Sequence, residues 1–235
     1  MKSFLMMGQS NMAGRGAIGD VEPISNPYAY MLRMGKWRPM SEPINVDRPI
    51  DYSGNITIYS GVGPAASFAD SYAKYYNEKV GLIPCADGGS SLEDWRVDGQ
   101  LFLHALYQAK LAMNISELCG IIWHQGEAEC GDFTRATTYR ERFLAIMDEL
   151  QARLNVRLPI VVGELGYFYA DHDPKPKYLD IVNSELNRLA EYDNIAVATA
   201  AGLVDRGDKL HFDAKSQREF GRRYFKAYRG LVEKQ

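Results

Sequence analysis

Five short apolar runs recur along the chain: Ser3–Met7, Val80–Cys85, Cys119–Trp123, Pro159–Gly163 and Ile195–Ala200. They are continuous rather than alternating, the pattern of strands covered on both faces. Between them lie stretches with apolar residues at three- and four-residue steps. In Pro64–Lys79 these are Ala65, Phe68, Ala69, Tyr72, Tyr75 and Tyr76, and Pro64 suits a first helical turn. Leu101–Met113, Thr138–Leu154, Lys177–Tyr192 and Ala214–Val232 read the same way. Strand–helix alternation of this kind specifies an α/β chain with a mainly parallel, five-stranded sheet and helices on both faces. The 235 residues suit a single domain over 1–235, long enough to bury a core without disulfide or metal.

One region breaks the rhythm. Residues 14–63 are rich in Pro, Gly, Asn and Tyr, and Pro23, Pro27, Pro39, Pro43 and Pro49 exclude long helices there. The expectation is an irregular insertion at about 14–63 near the active-site crevice. It reads either as a lid or binding-site wall, or as a surface excursion with one short strand near Ile56–Tyr59.

Charge and cysteine content narrow the class. With 27 Lys+Arg against 30 Asp+Glu the formal net charge is -3, so no basic surface for nucleic acid is expected. Three cysteines imply no disulfide framework. Phe4-Leu5-Met6-Met7 is too short for the apolar core of a secretory signal, and no run approaches the length of a membrane span. A cytoplasmic protein is the expectation, or a secreted one where a leader has been removed. The oligomeric state is not written in these features.

In an open parallel sheet the ligand crevice lies outside the carboxyl ends of the strands. Four polar, glycine-containing junctions fall there: Gly8-Gln9-Ser10-Asn11, Ala86-Asp87-Gly88-Gly89-Ser90, His124-Gln125-Gly126-Glu127 and Asp205-Arg206-Gly207-Asp208-Lys209-Leu210-His211-Phe212. Ser10 reads as a helix N-cap or as an exposed hydroxyl. A serine nucleophile needs a base, and the base a carboxylate that fixes its tautomer. Asp208-x-x-His211 can supply both, or be an ordinary turn entering a helix. Gly88-Gly89 lets backbone N–H groups approach a ligand, or makes a simple tight turn. Gln125 offers a side-chain amide for a developing oxyanion. His124, Glu127, Glu129 and Cys130 lack metal-ligand spacing, so no metal is expected. Without a Walker loop or GxGxxG, no nucleotide cofactor is expected either.

The blocks Gly8-Gln9-Ser10-Asn11-Met12, Gly88-Gly89-Ser90, Trp123-His124-Gln125-Gly126-Glu127 and Asp208-x-x-His211 resemble, in order, those of the SGNH hydrolases. The likeness is to the sialate O-acetylesterase-like branch, similar to carbohydrate esterase family 6 with its acetyl xylan esterases. It implies a flavodoxin-like α/β/α three-layer sandwich and a serine esterase removing acetyl groups from sugars through an acyl-enzyme. By motif it implies Ser10 as nucleophile, His211 as base and Asp208 as its orienting carboxylate. It also implies an oxyanion hole of Ser10 N–H, Gly89 N–H and the Gln125 side chain. The wider superfamily usually supplies Asn from a Gly-x-Asn block, so Gln125 rests on the branch-specific block. Glu127 is either an auxiliary carboxylate for the base or a structural hydrogen-bonding group.

Trp95 and Trp37, with Tyr28, Tyr30 and Tyr52, are candidates to stack on sugar faces, against a role in covering the core. Arg48 and Arg96 are candidates for an acidic substituent. The expected partner is an acetylated carbohydrate such as a xylo-oligosaccharide. A short-chain lipid esterase or thioesterase on the same scaffold, and a non-catalytic carbohydrate-binding protein, are the alternatives.

Overall fold

Strand β1 (Lys2–Gly8) lies between β4 (Val80–Pro84) and β5 (Glu117–His124), parallel to both. The computed structural model describes residues 1–46 and 60–234. Among these, β2 (Ala29–Arg33), β3 (Lys36–Pro39), β6 (Ile160–Gly163) and β7 (Ile195–Ala198) complete a seven-stranded sheet in the order β3-β2-β4-β1-β5-β6-β7. Every pairing is parallel except β2 with β3. The five apolar runs are the five strands β1, β4, β5, β6 and β7.

Helices cover both faces. On one lie α2 (Ala65–Tyr76) and α7 (Ala214–Val232); on the other lie α3 (Gln100–Met113), α5 (Tyr139–Leu154) and α6 (Leu179–Arg188). Two short helices, α1 (Ser10–Ala13) and α4 (Phe133–Thr137), sit at strand exits. Because side chains alternate along a strand, Phe4 and Met6 of β1 enter the α2–α7 layer while Leu5 and Met7 enter the α3–α5–α6 layer. Phe4 meets Phe68, Tyr72 and Tyr228 edge-on at centroid distances of 4.9, 5.1 and 5.0 Å. The last helix starts where Asp213 caps it, its Oδ1 accepting Ser216 N–H at 2.6 Å. No helix of the described residues is long and apolar enough to cross a membrane.

The sheet corrects the reading of residues 14–63 as irregular. Their described part holds the β2–β3 hairpin, with β2 added parallel to β4. Met34 (φ 51°) and Gly35 (φ 73°) make its two-residue turn, the backbone that Asn-Gly favours. Met34 at the tip is 96% exposed. The buried pair Arg218–Glu42, bidentate, ties this region to α7. Asn45 donates to Ala86 O (2.9 Å) and accepts from Ala86 N–H (3.1 Å), extending the contact to the exit of β4. The strand expected near Ile56–Tyr59, and the candidates Arg48 and Tyr52, lie outside the described residues.

Trp37 is also corrected. Its ring packs over Gly81, whose register partner is Ser3, near the amino end of β1. The crevice lies at the other end, about 16 Å away for five extended residues. Trp37 therefore covers the sheet edge and cannot stack on a sugar held beside Ser10.

Candidate active site

The exits of β1, β4 and β5 are stapled together by their backbones. Gln9 N–H donates to His124 O at 2.8 Å, and Asp87 N–H to Gly8 O at 3.0 Å. Gly8 has φ 130°, and a Cβ there would lie 2.0 Å from His124 O. Only glycine fits this exit. The chain then turns into α1, whose first residue is Ser10, 5% exposed.

His211 comes from the loop between β7 and α7. Within it Asp205 accepts the N–H groups of Gly207 and Lys209, each at 2.8 Å. Asp208 Oδ1 accepts the backbone N–H of Leu210 (3.0 Å) and of His211 (2.8 Å). Its Oδ2 lies 2.8 Å from His211 Nδ1, and His211 Nε2 lies 3.0 Å from Ser10 Oγ. A carboxylate only accepts, so Nδ1 carries the proton and Nε2 turns its lone pair to the Ser10 hydroxyl. Burial works to raise the Asp208 carboxyl, but those backbone and ring hydrogen bonds and the charge of His211 outweigh it. The group is held below its ordinary value. The geometry is that of a hydroxyl, a base and an orienting carboxylate in line.

The remaining candidates are distributed differently. Glu127 does not touch His211. Its Oε1 accepts from Asn11 Nδ2 at 2.5 Å and faces His124 Nε2 at 3.3 Å, in a site where it is 4% exposed. Of the two readings of Glu127, the structural hydrogen-bonding one fits. Burial pushes its carboxyl up, but the hydrogen bonds and charge from His124, with Asn11, hold it below the usual value.

Gln125 is wholly buried, and its Nε2 donates to Ser90 O (3.2 Å) and Glu129 Oε1 (3.3 Å). Both amide hydrogens are occupied, so the expected oxyanion donor is instead a strut under the Gly88–Ser90 turn. Glu129 anchors that strut. Its carboxylate also accepts from Leu92 N–H, Arg135 and Arg142. The backbone N–H groups of Ser10 and Gly89 have no acceptor among the described residues. Gly89 has φ 79°, and a Cβ there would meet nothing within 4 Å.

Trp95 is corrected too. It is 0% exposed, donates from Nε1 to Ser90 Oγ at 2.9 Å, and packs edge-on against Trp123. It supports the Gly88–Ser90 turn from beneath and presents no face to a ligand. Arg96 is exposed at the rim of a cleft of about 350 Å³ that runs from the same turn.

Asn11 is the residue that sequence reasoning missed. Its Nδ2 donates to Leu210 O (3.1 Å) as well as to Glu127, and its Oδ1 accepts Phe212 N–H (3.2 Å). The only signal was its place beside Ser10 in the first block. Among the described residues no three His, Cys, Asp or Glu side chains cluster as a metal would need.

Known proteins resemble this chain along nearly its whole length. The family model "Carbohydrate esterase, sialic acid-specific acetylesterase" matches residues 1–230. A "Probable carbohydrate esterase" of Arabidopsis thaliana is 27% identical over 245 residues, covering 96% of this chain and 89% of that protein. The X-ray structure of an Arabidopsis thaliana protein superposes with a TM-score of 0.85 at 26% identity, covering 97% of this chain and 98% of the other. NanS superposes with a TM-score of 0.76 over 99% of this chain and 98% of its own; at 16% identity that likeness concerns the fold. The chain belongs to the carbohydrate esterase, sialic acid-specific acetylesterase family, with the fold of the SGNH-like hydrolases.

Proposed function

We propose that this protein is a serine esterase that removes O-acetyl groups from carbohydrates, with short acetylated xylo-oligosaccharides or related sugars as substrates. The observation that carries the reading is the continuous line from Ser10 Oγ through His211 to Asp208, at 3.0 and 2.8 Å. In the proposed reaction His211 Nε2 takes the Ser10 proton as Oγ attacks the acetyl carbonyl. The N–H groups of Ser10 and Gly89 receive the oxyanion. The imidazolium, stabilised by Asp208, then protonates the departing sugar oxygen. His211 Nε2 takes a proton from water as that water attacks the acetyl-serine, the Ser10–acetyl bond breaks as the imidazolium returns the proton to Ser10 Oγ, and acetate leaves.

The cleft beside Gly89 supports a sugar rather than a fatty acyl chain. Its lining includes Asp87, Ser90, Asp94, Arg96 and Gln100, groups that match hydroxyls and would strand a hydrocarbon among polar atoms. Asp87 N–H donates to Gly8 O, two residues before Ser10, and Ser90 Oγ donates to Asp87 O at 2.8 Å, so this cleft opens next to the nucleophile. The test is acetate release from acetylated xylo-oligosaccharides, O-acetylated sialic acid and acetylated monosaccharides, beside acetyl, butyryl and octanoyl esters of one chromophoric alcohol. The expected result is acetate from a sugar and a rate that falls with acyl length. A rate rising with acyl length contradicts it, as does sugar binding without acetate release.

A further inference from the structure

We infer that Asn11, held by the Glu127 carboxylate, is the positioning residue that sets His211 on Ser10; the inference rests on the esterase reading above. Ser10 and His211 stand 201 positions apart, on an α1 turn and on a loop whose internal bonds fix Asp208 to His211 but not either of them to Ser10. Arg206 of the same loop reaches Arg15 O, at 2.7 Å, beyond the end of α1, whereas Asn11 bridges the two beside the reacting groups. Asn11 is bonded to Ser10 through the backbone, and its amide grips the loop on both sides of the base, at Leu210 O (3.1 Å) and Phe212 N–H (3.2 Å). A primary amide is suited to this because it donates and accepts from one rigid plane.

The amide itself is locked. Its second Nδ2 hydrogen goes to Glu127 Oε1 at 2.5 Å, and that oxygen also faces His124 Nε2. His124 Nδ1 lies 3.0 Å from the Tyr224 hydroxyl on α7, which is itself 3.0 Å from Trp123 O. The far side of α1 is tied as well, where Gln217 Nε2 donates to Asn11 O at 3.1 Å. Glu127 is thus an acceptor that makes the amide orientation unique: an Asn11 flipped end for end would set its Oδ1 against the carboxylate. Charge-assisted bonds of this kind are the stronger class, and the group lies where water does not compete.

The test uses the full chain with Asn11→Ala, Asn11→Asp, Glu127→Gln and the Asn11→Asp/Glu127→Gln pair, assayed on an activated acetyl ester, with near-UV circular dichroism as the check of fold. Misplacing a reacting group by about 1 Å costs on the order of 10²-fold. Asn11→Ala is therefore expected to lower kcat by about that factor with KM unchanged. The plateau of its pH–rate profile should fall while the acid limb stays in place, because the Asp208–His211 bond is internal to the loop. Asn11→Asp sets two carboxylates against each other and should fall further; adding Glu127→Gln restores a donor and should recover part of kcat.

A folded Asn11→Ala enzyme with wild-type kcat overturns the inference, and so does a displaced acid limb with an unchanged plateau. Should Asn11→Ala fail to fold, the Asp and Asp/Gln variants decide, since equal kcat in those two overturns the role of Glu127. Ser10→Ala, run alongside, separates the two claims. Hydrolysis retained there removes the esterase reading, whereas loss there with wild-type kcat in Asn11→Ala removes only the positioning role.

Discussion

Replacing Asp208 by Asn changes one atom and inverts the logic of the base. The Oδ1 bonds to Leu210 and His211 N–H can persist, so the loop keeps its shape. The amide nitrogen, however, would then face His211 Nδ1, 2.8 Å away in the native site. Two N–H donors cannot share that contact, and the imidazole shifts to the tautomer with its proton on Nε2, facing Ser10. In that form it cannot accept the serine proton. A second loss comes from charge, because the imidazolium formed during acyl transfer no longer sits beside a carboxylate. Unit charges about 4 Å apart are worth about 4 kcal/mol at the effective dielectric of a protein surface and about 1 in water. The Asp208 side chain is 38% exposed, which draws the figure down to about 2 kcal/mol. With the tautomer penalty added, kcat should fall by roughly 10²–10³-fold, or about 3–4 kcal/mol at 1.36 per decade. The assay is steady-state hydrolysis of an activated acetyl ester across pH. Retention of more than about a tenth of wild-type kcat, within the usual effect of an outer hydrogen bond, would refute the assignment of Asp208 to His211.

Three further outcomes follow from the same geometry. Gly8→Ala should destabilise the protein by more than about 2 kcal/mol, because φ 130° and a Cβ 2.0 Å from His124 O leave no room; the denaturant midpoint measures it. Arg96→Ala should raise KM for an acetylated sugar and leave kcat on a small chromophoric acetate unchanged, since Arg96 lines the cleft and touches neither Ser10 nor His211. Acid should lower the melting temperature, with a definite sign. Burial pushes the carboxyls of Glu127 and Glu164 up, but hydrogen bonds from His124 and Asn11 to the first, and from Thr199 and Asn187 to the second, hold both below their ordinary value. The unfolded chain therefore takes up protons first, and stability present above about pH 4.3 is lost as pH falls through the lower folded values. Glu164→Gln should flatten that slope; a slope equal to wild type would contradict it.

The sheet was legible where burial on both faces leaves a continuous apolar run, as in Phe4-Leu5-Met6-Met7. The final helix was legible from its apolar spacing at Phe220, Tyr224, Phe225 and Tyr228, which the structure buries. The β2–β3 hairpin was not, since its turn is Met34-Gly35 rather than a pair that announces a positive φ. At the site, residue type alone left Ser10 as a possible cap and Asp208-x-x-His211 as a possible turn; the resemblance of the four blocks implied their grouping, and the fold brings the three side chains into line. Trp95, Gln125 and Glu127 carry equally suggestive chemistry, yet their direction is set by packing. Trp95 turns under the Gly88–Ser90 turn to meet Trp123, and Gln125 turns to Glu129. Sequence position does not encode which way such a side chain faces. Asn11 shows the converse: an ordinary amide gains its importance only from the distant loop folded onto it.

The central claim is that Ser10 carries the acetyl group between the two halves of the reaction. Rapid quench of the enzyme with an activated acetyl ester, followed by mass analysis of the peptide containing Ser10, measures this directly. One acetyl group is expected on Ser10, formed in a burst that does not exceed the enzyme present and absent from Ser10→Ala, which should release no acetate. An unmodified Ser10 during turnover, together with acetate release by Ser10→Ala, would contradict it.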